Sequence, residues 1–284
     1  MAIRIITDSA ADYSAEEIAK RKITCIPMSV TFGEKEYLDG KDITKEEFFE
    51  LLIMSKDFPK TSQPAPANFL ECFEEAKESG DTVIAILISS ALSGTFQNAN
   101  LARNMAEYEN VYIIDSKTAS LGMRILVDRA VKMRDAGASA TEIVKEVESL
   151  KSRIRIYAGL DTLEYLAKGG RISKAAATIG NLANLKPLIT ITEEGSVSLC
   201  GKQMGIRHAC KQLSKLVMTD EPDLDCPIYF LYSYDQKNCA AFLHTLKKNG
   251  LEIESPKVRG IGPTIGTHIG TGAFGIVYVA KKFD

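Results

Sequence analysis

The chain has 284 residues, is 45% apolar and 25% charged, and carries a formal net charge of −2. That length exceeds what one hydrophobic core usually organises, so two domains are expected, and the near-neutral balance argues against a nucleic-acid surface, which needs a basic excess. No apolar run approaches the roughly 20 residues needed to cross a bilayer, no two of the six cysteines are spaced C-x-x-C, and three histidines give no multi-histidine metal site.

Read from its start, Ile3–Thr7 is a strand, and Met1–Asp8 lacks the architecture of a signal peptide. A soluble cytoplasmic protein is expected, with small thiols in a reducing compartment. Ser14-Ala15-Glu16-Glu17 is a capping box for a short helix, and Thr44-Lys45-Glu46-Glu47 is a second, opening the helix that carries Phe48, Phe49, Leu51 and Leu52. Between them Ile23–Phe32 is extended. A loop, Thr61–Pro66, leads into a helix over Asn68–Ser79, with Pro66 suited to its start and Gly80 to its C-cap. Thr82–Ile88 is a continuous apolar run of the kind found in a covered strand. A helix over Phe96–Met105, a strand over Val111–Asp115 and a helix over 119–135 follow. Ser139-Ala140-Thr141-Glu142 then opens a helix that ends near Ser152. Strands separated by helices of this length imply right-handed crossovers and a mainly parallel sheet.

The second half is more mixed. Ile154–Leu160 reads as a strand, Thr162–Ala167 as a helix stopped by Gly169-Gly170, and Ala175–Asn184 as a helix. Leu188–Thr192 and Val197–Leu199 flank Glu193-Glu194-Gly195-Ser196 as a hairpin. Helices are expected over Ile206–Met218 and Asn238–Lys248, and strands over Pro227–Tyr234, Ile253–Val258 and Gly275–Ala280. The pattern predicts an α/β protein of two domains, residues 1–150 and 151–284. The first would hold a mainly parallel sheet flanked by helices, the second a mixed sheet with helices.

Several segments could carry chemistry. Ser93-Gly94-Thr95 closes the buried strand and opens a helix, where free N–H groups and a partial positive charge suit an anion. With no lysine in the turn, hydroxyls and amides would hold that anion; a well-capped helix accounts for the same residues. Asp8-Ser9, after the first strand, fits a cap on the next turn or a ligand contact. Thr61-Ser62-Gln63-Pro64 is a polar loop stiffened by Pro64 and Pro66, which suits binding but is also common in connectors. In Thr162–Ser173 the paired glycines fix where Arg171 points; arginine is the usual reader of carboxylate or phosphate, and Lys168 and Arg171 also suit a helix C-terminus. The segment Gly260–Gly272 is dense in glycine, as where backbone packs against a ligand or loop, and His268 lies in its middle. Ser93 with His268 and an acid, Asp8 or Asp115, would form a serine hydrolase or acyl transferase. However, the G-x-S-x-G elbow is absent, as is a P-loop, so intrinsic ATP use has no support and no cofactor is expected.

Taken in order, Ile6-Thr7-Asp8-Ser9, Thr61-Ser62-Gln63-Pro64, Ser89–Thr95, Asp115-Ser116, Leu163–Ser173 and Ile261–Gly272 resemble the motifs of the DegV family of fatty-acid-binding proteins, nearly end to end. Thr271 departs from them, standing where the family usually has proline. The resemblance implies a lipid between two α/β domains. The protein would act as the carrier subunit of a fatty acid kinase system. A separate ATP-dependent fatty acid kinase subunit would phosphorylate the bound acid to an acyl phosphate. Thr61, Ser62 and Ser93 would hold the carboxyl group, Gly94 and Thr95 would add amide or hydroxyl contacts, and His268 would lie close by. Arg171 would sit near the mouth, for product or kinase. Membrane contact would be transient at most. Phe32, Phe96, Ile125, Leu126 and Phe274 are candidate tunnel linings and equally good core residues. A regulatory lipid sensor without a kinase is a third reading.

Overall fold

The computed structural model describes residues 2–173 and 184–282. Four strands, β1 (Ile3–Asp8), β2 (Ile23–Ile26), β6 (Thr82–Leu87) and β7 (Val111–Asp115), form a parallel sheet in the order β2-β1-β6-β7. Both faces of β6 are covered, which is why its sequence is apolar without alternation. Val83, Ala85 and Leu87 pack with Phe69, Phe73, Ala99 and Ala102 of the helices Pro66–Ser79 and Thr95–Ala106. Ile84 and Ile86 face the other way, towards the helices Leu121–Asp135 and Ala140–Lys151.

The second sheet is mixed, ordered β10-β9-β8-β13-β11-β12. Its strands are β8 (Ile154–Gly159), β9 (Leu185–Ile191), β10 (Val197–Met204), β11 (Tyr229–Tyr232), β12 (Lys257–Gly260) and β13 (Phe274–Val279). Phe230, Phe274, Ile276 and Tyr278 pack on one side with Leu213, Val217 and Phe242 of the helices Gly205–Asp220 and Lys237–Lys248. On the other side Ile154, Ile156, Leu231, Val277 and Val279 join the same buried cluster as Ile84, Ile86, Leu126 and Val127. The helix Leu121–Asp135 is therefore shared between the sheets, and the core runs without a break past residue 150.

Both early capping boxes and the one at Ser139 form as the sequence predicts. Four expectations need correction. Ile23–Phe32 is not one extended segment. It breaks at Pro27, which lacks the N–H a continuing ladder needs. Beyond it β3 (Ser29–Phe32) enters a small antiparallel sheet with β4 (Lys35–Leu38) and β5 (Lys60–Ser62). Thr61 and Ser62 therefore sit in a strand, not a loop. The strand expected at Ile253–Val258 lies later, at β12, because its register is set by parallel pairing with β11. The glycine-dense segment contains a helix, Pro263–Ile269, whose Gly266 faces Phe48 and Phe49 too closely for any side chain. The helix expected over Ala175–Asn184 lies outside the described residues except for Asn184, a turn residue at φ 68°.

Candidate ligand-binding site

The site begins where β6 ends. Asp8 Oδ2 accepts from Ile88 N at 2.8 Å and Oδ1 accepts from Ala10 N at 3.0 Å. Asp8 is thus a buried cap that ties the end of β1 to the loop leaving β6. Burial outweighs the two N–H contacts and raises its pKa to about 7. The loop closes with Ser93 N donating to Ser89 O at 3.1 Å. Ser93 Oγ lies 2.8 Å from Thr95 Oγ1 and accepts from Thr95 N at 3.3 Å. Gln63 Oε1 accepts from Gly94 N at 3.0 Å, and Asn98 Nδ2 donates to Pro64 O at 2.9 Å. The polar segment Thr61–Pro64 is thereby clamped to the helix start. Gly94 permits this because a Cβ there would overlap the Gln63 amide.

β5 alternates its side chains. Thr61 points inward, and its Oγ1 is 2.9 Å from His268 Nε2. Ser62 points away and is exposed. His268 is packed against Gly169, where a Cβ would overlap Nδ1, and that nitrogen is buried with no hydrogen-bond partner. Burial, with the nearby Arg171 charge, lowers the imidazole pKa to about 4, so the ring is neutral at pH 7. Arg171 Nε donates to Leu92 O at 3.1 Å and its Nη1 to Gly169 O. Its hydrogen bonds within the described residues thus go to backbone carbonyls, not to a carboxylate, and burial lowers its pKa.

These groups form the polar end of a cavity between the two halves of the chain. It spans about 800 Å³ of atom-free space, its open mouth included. Its walls are largely carbon: Ile88 and Leu92 from the first half, Ile156, Ala158, Ile189 and Ile191 from β8 and β9. Beside them Ser120 and Thr264 also line it, and both are anchored from behind. Ser120 Oγ donates to Asp12, whose Oδ1 accepts from Gly262 N at 2.6 Å. Thr264 N and Oγ1 donate to Asp39 Oδ2 at 3.2 and 2.5 Å. Burial, opposed by the Thr264 hydroxyl and reinforced by Asp12, raises the Asp39 pKa to about 6.

The structure brings Thr61, Ser93, Arg171 and His268 to one cavity. Ser62 is not brought to it, since the β5 alternation turns it outward. The Gly94 amide is taken by Gln63, and the Thr95 hydroxyl faces Ser93. The serine-hydrolase arrangement is not assembled. The partner of His268 is Thr61, Ser93 Oγ contacts Thr95, Asp8 is committed to two backbone amides, and Asp115 is paired with Ser90 and Lys117. Phe32, Ile125, Leu126 and Phe274 are buried core, Phe96 is half-buried, and none of the five lines the cavity. Thr271 sits between Gly270 and Gly272, at φ 66° and 76°. Cβ atoms at those glycines would overlap Tyr165 and Asp161, so the turn is shaped by the glycines flanking the threonine. Sequence reasoning missed Gln63 as the clamp and the walls from β8 and β9. The alternation Ile154, Ile156, Ala158 was the available signal, but it does not say which apolar face meets a void.

With this geometry in view, the comparisons define the class of protein. The model of the DegV family of uncharacterised proteins matches residues 2–281. A DegV domain-containing protein of Caldanaerobacter subterraneus subsp. tengcongensis is 35% identical over 279 residues, covering 98% of this chain and 99% of its own. The chain belongs to the DegV family. Among solved structures, a DegV family protein from Thermus thermophilus described for its fatty acid binding superposes with TM-score 0.88 at 32% identity, covering 99% of this chain and all (100%) of the other. DegV of Bacillus subtilis, described as a fatty acid binding protein, superposes with TM-score 0.83 at 28% identity, covering 99% of this chain and 100% of its own.

Proposed function

We propose that the protein binds a long-chain fatty acid in this cavity. The observation that carries the reading is a carbon-walled cavity whose polar groups Thr61, Ser93, Arg171 and His268 gather near one another, in a fold shared with relatives described as fatty acid binding. The carboxyl group would lie among the Thr61 and Ser93 hydroxyls and the neutral His268, whose Nε2 stands 2.9 Å from Thr61 Oγ1. Arg171 supplies the positive charge that the short hydroxyl turn lacks. Burying a sixteen-carbon tail is worth roughly 12 kcal/mol gross, at about 0.8 kcal/mol per methylene. Lost chain and translational entropy offsets much of it. The tail would supply affinity, and the polar end would supply register.

The finer reading is that the protein presents this carboxyl group to a separate ATP-dependent kinase subunit, which converts it to an acyl phosphate. Its support is the ordered set of DegV motifs, together with a chain that has no P-loop of its own. Mass spectrometry of an organic extract from freshly purified protein tests the lipid: a stoichiometric long-chain acid is expected. An empty extract together with failure to bind added fatty acids would overturn it. Ser93→Ala and Thr61→Ala should keep the fold and weaken acyl loading and acyl-phosphate formation; unchanged loading and turnover in both would count against the assigned head-group site. Copurification of a kinase subunit that phosphorylates the bound acid tests the carrier role, and its repeated absence would favour a sensor.

A further inference from the structure

Strands β8 and β9 pair only over Tyr157–Gly159 and Leu188–Thr190. Towards its start β8 remains paired with β13 as far as Ile154, and towards its end β9 remains paired with β10 as far as Ile191. Between those two stretches the strands part, and a wedge opens in the sheet. Its sides are Ile154, Arg155, Ile156 and Tyr157 on one strand and, on the other, Thr190 and Ile191 with Thr192 and Glu193 of the turn that follows. Lys117, Thr118, Lys151 and Ser152 close it where the halves of the chain meet, around about 1130 Å³ of atom-free space including its mouth. Ile156, Thr190 and Ile191 line both this wedge and the apolar cavity.

We propose that Ile156 and Ile191 form a partition, one side chain thick, that ends the acyl cavity on the wedge side and sets the longest acyl chain the protein accepts. The inference rests on the fatty-acid reading above. Two observations favour this wall over the opposite one. At Ser120 and Thr264 the cavity backs onto Asp12 and Asp39, a floor held by hydrogen bonds on each residue. Ile156 and Ile191 flank the last rung of the β8–β9 ladder, Tyr157 with Thr190, and past it no pairing joins the strands, so there side-chain packing alone closes the wall. Beyond the partition the surroundings are ionic: Lys117 with Asp115, Lys151 with Glu148, Arg155 with Asp220. A methyl end pushed there gains less apolar burial than one inside the cavity, whose lining is almost wholly carbon. Affinity should therefore climb about fourfold per methylene while the tail finds room, and stop climbing once it meets the partition.

The test is displacement of a fluorescent acyl probe by saturated acids of increasing length, from twelve to twenty-two carbons, on the full chain. The wild-type protein should show a break in the length series. The variant Ile156→Ala with Ile191→Ala should move that break to longer acids, with roughly tenfold tighter binding of acids beyond the wild-type break. An unmoved break overturns the proposal. Because truncation can also impair folding, the unaltered protein is irradiated with hexadecanoic acid carrying a terminal diazirine, and the label is mapped by peptide mass spectrometry. Label at residues 154–156 or 190–192 supports the partition; label confined to Met28, Leu231 and Ile261, elsewhere in the cavity wall, overturns it. Absence of saturable binding by the wild-type protein would overturn the fatty-acid reading itself, whereas saturable binding with the label elsewhere overturns only the partition.

Discussion

Asp39 offers a perturbation whose sign and size follow from the structure. Its carboxylate is buried, accepts two hydrogen bonds from Thr264 and feels the charge of Asp12, and its pKa is raised from 3.8 to about 6. A carboxyl whose folded pKa exceeds its unfolded pKa binds protons more tightly when folded. Its contribution to stability is therefore complete below pH 3.8 and is lost as pH rises through about 6. A shift of about two units corresponds to roughly 3 kcal/mol in full, of which about 2 kcal/mol remains to be lost between pH 4.5 and 7.5. Asp39→Asn removes the titration while keeping a carbonyl oxygen for Thr264. Urea unfolding of both proteins across that pH range cancels carboxylates such as Asp115, whose pKa is lowered, while Asp8, raised partly by the Asp39 charge, responds to the substitution in the same direction as Asp39 itself. The variant should gain stability relative to wild type by about 2 kcal/mol on going from pH 4.5 to 7.5. Parallel curves would refute the assignment of a strained, buried charge at Asp39.

Gly266→Ala should cost about 1–3 kcal/mol, read as a lower urea midpoint, since its Cβ would stand 2.6 Å from Phe48 Cε1 and 3.0 Å from Phe49 Cζ. Arg171→Gln should weaken binding of an ionised long-chain acid by roughly tenfold to a hundredfold, the size of a charge-assisted hydrogen bond. It should leave the corresponding methyl ester nearly unaffected; equal losses for acid and ester in a calorimetric titration would show that Arg171 acts only by holding Leu92. Because the His268 pKa is lowered to about 4, acyl affinity should show no inflection near pH 6.5. An inflection there that disappears in His268→Asn would contradict a buried neutral ring.

What local chemistry encodes is legible along the chain. Capping residues at Ser14, Thr44 and Ser139 marked helix starts, Gly80 marked a stop, and the unbroken apolar run at Thr82–Ile88 marked a strand covered on both faces. Each of those signals acts over a few residues, so no distant partner is needed to read it. The ordered motifs also carried Thr61, Ser93, Arg171 and His268 to a common site. What local patterns could not supply was direction and pairing. Whether Thr61 or Ser62 faces inward depends on the register of β5 against Ser29 and Val30, which lies far away in sequence. Whether the segment around Pro263 is a loop or a helix depends on Phe48 and Phe49 receiving Gly266. Whether Ser93 and His268 pair with each other depends on which partners reach them, and Thr95 and Thr61 reach them first. The fold settles these, because a side chain's role is set by what stands opposite it, and apart from Thr95 those neighbours lie far away in sequence.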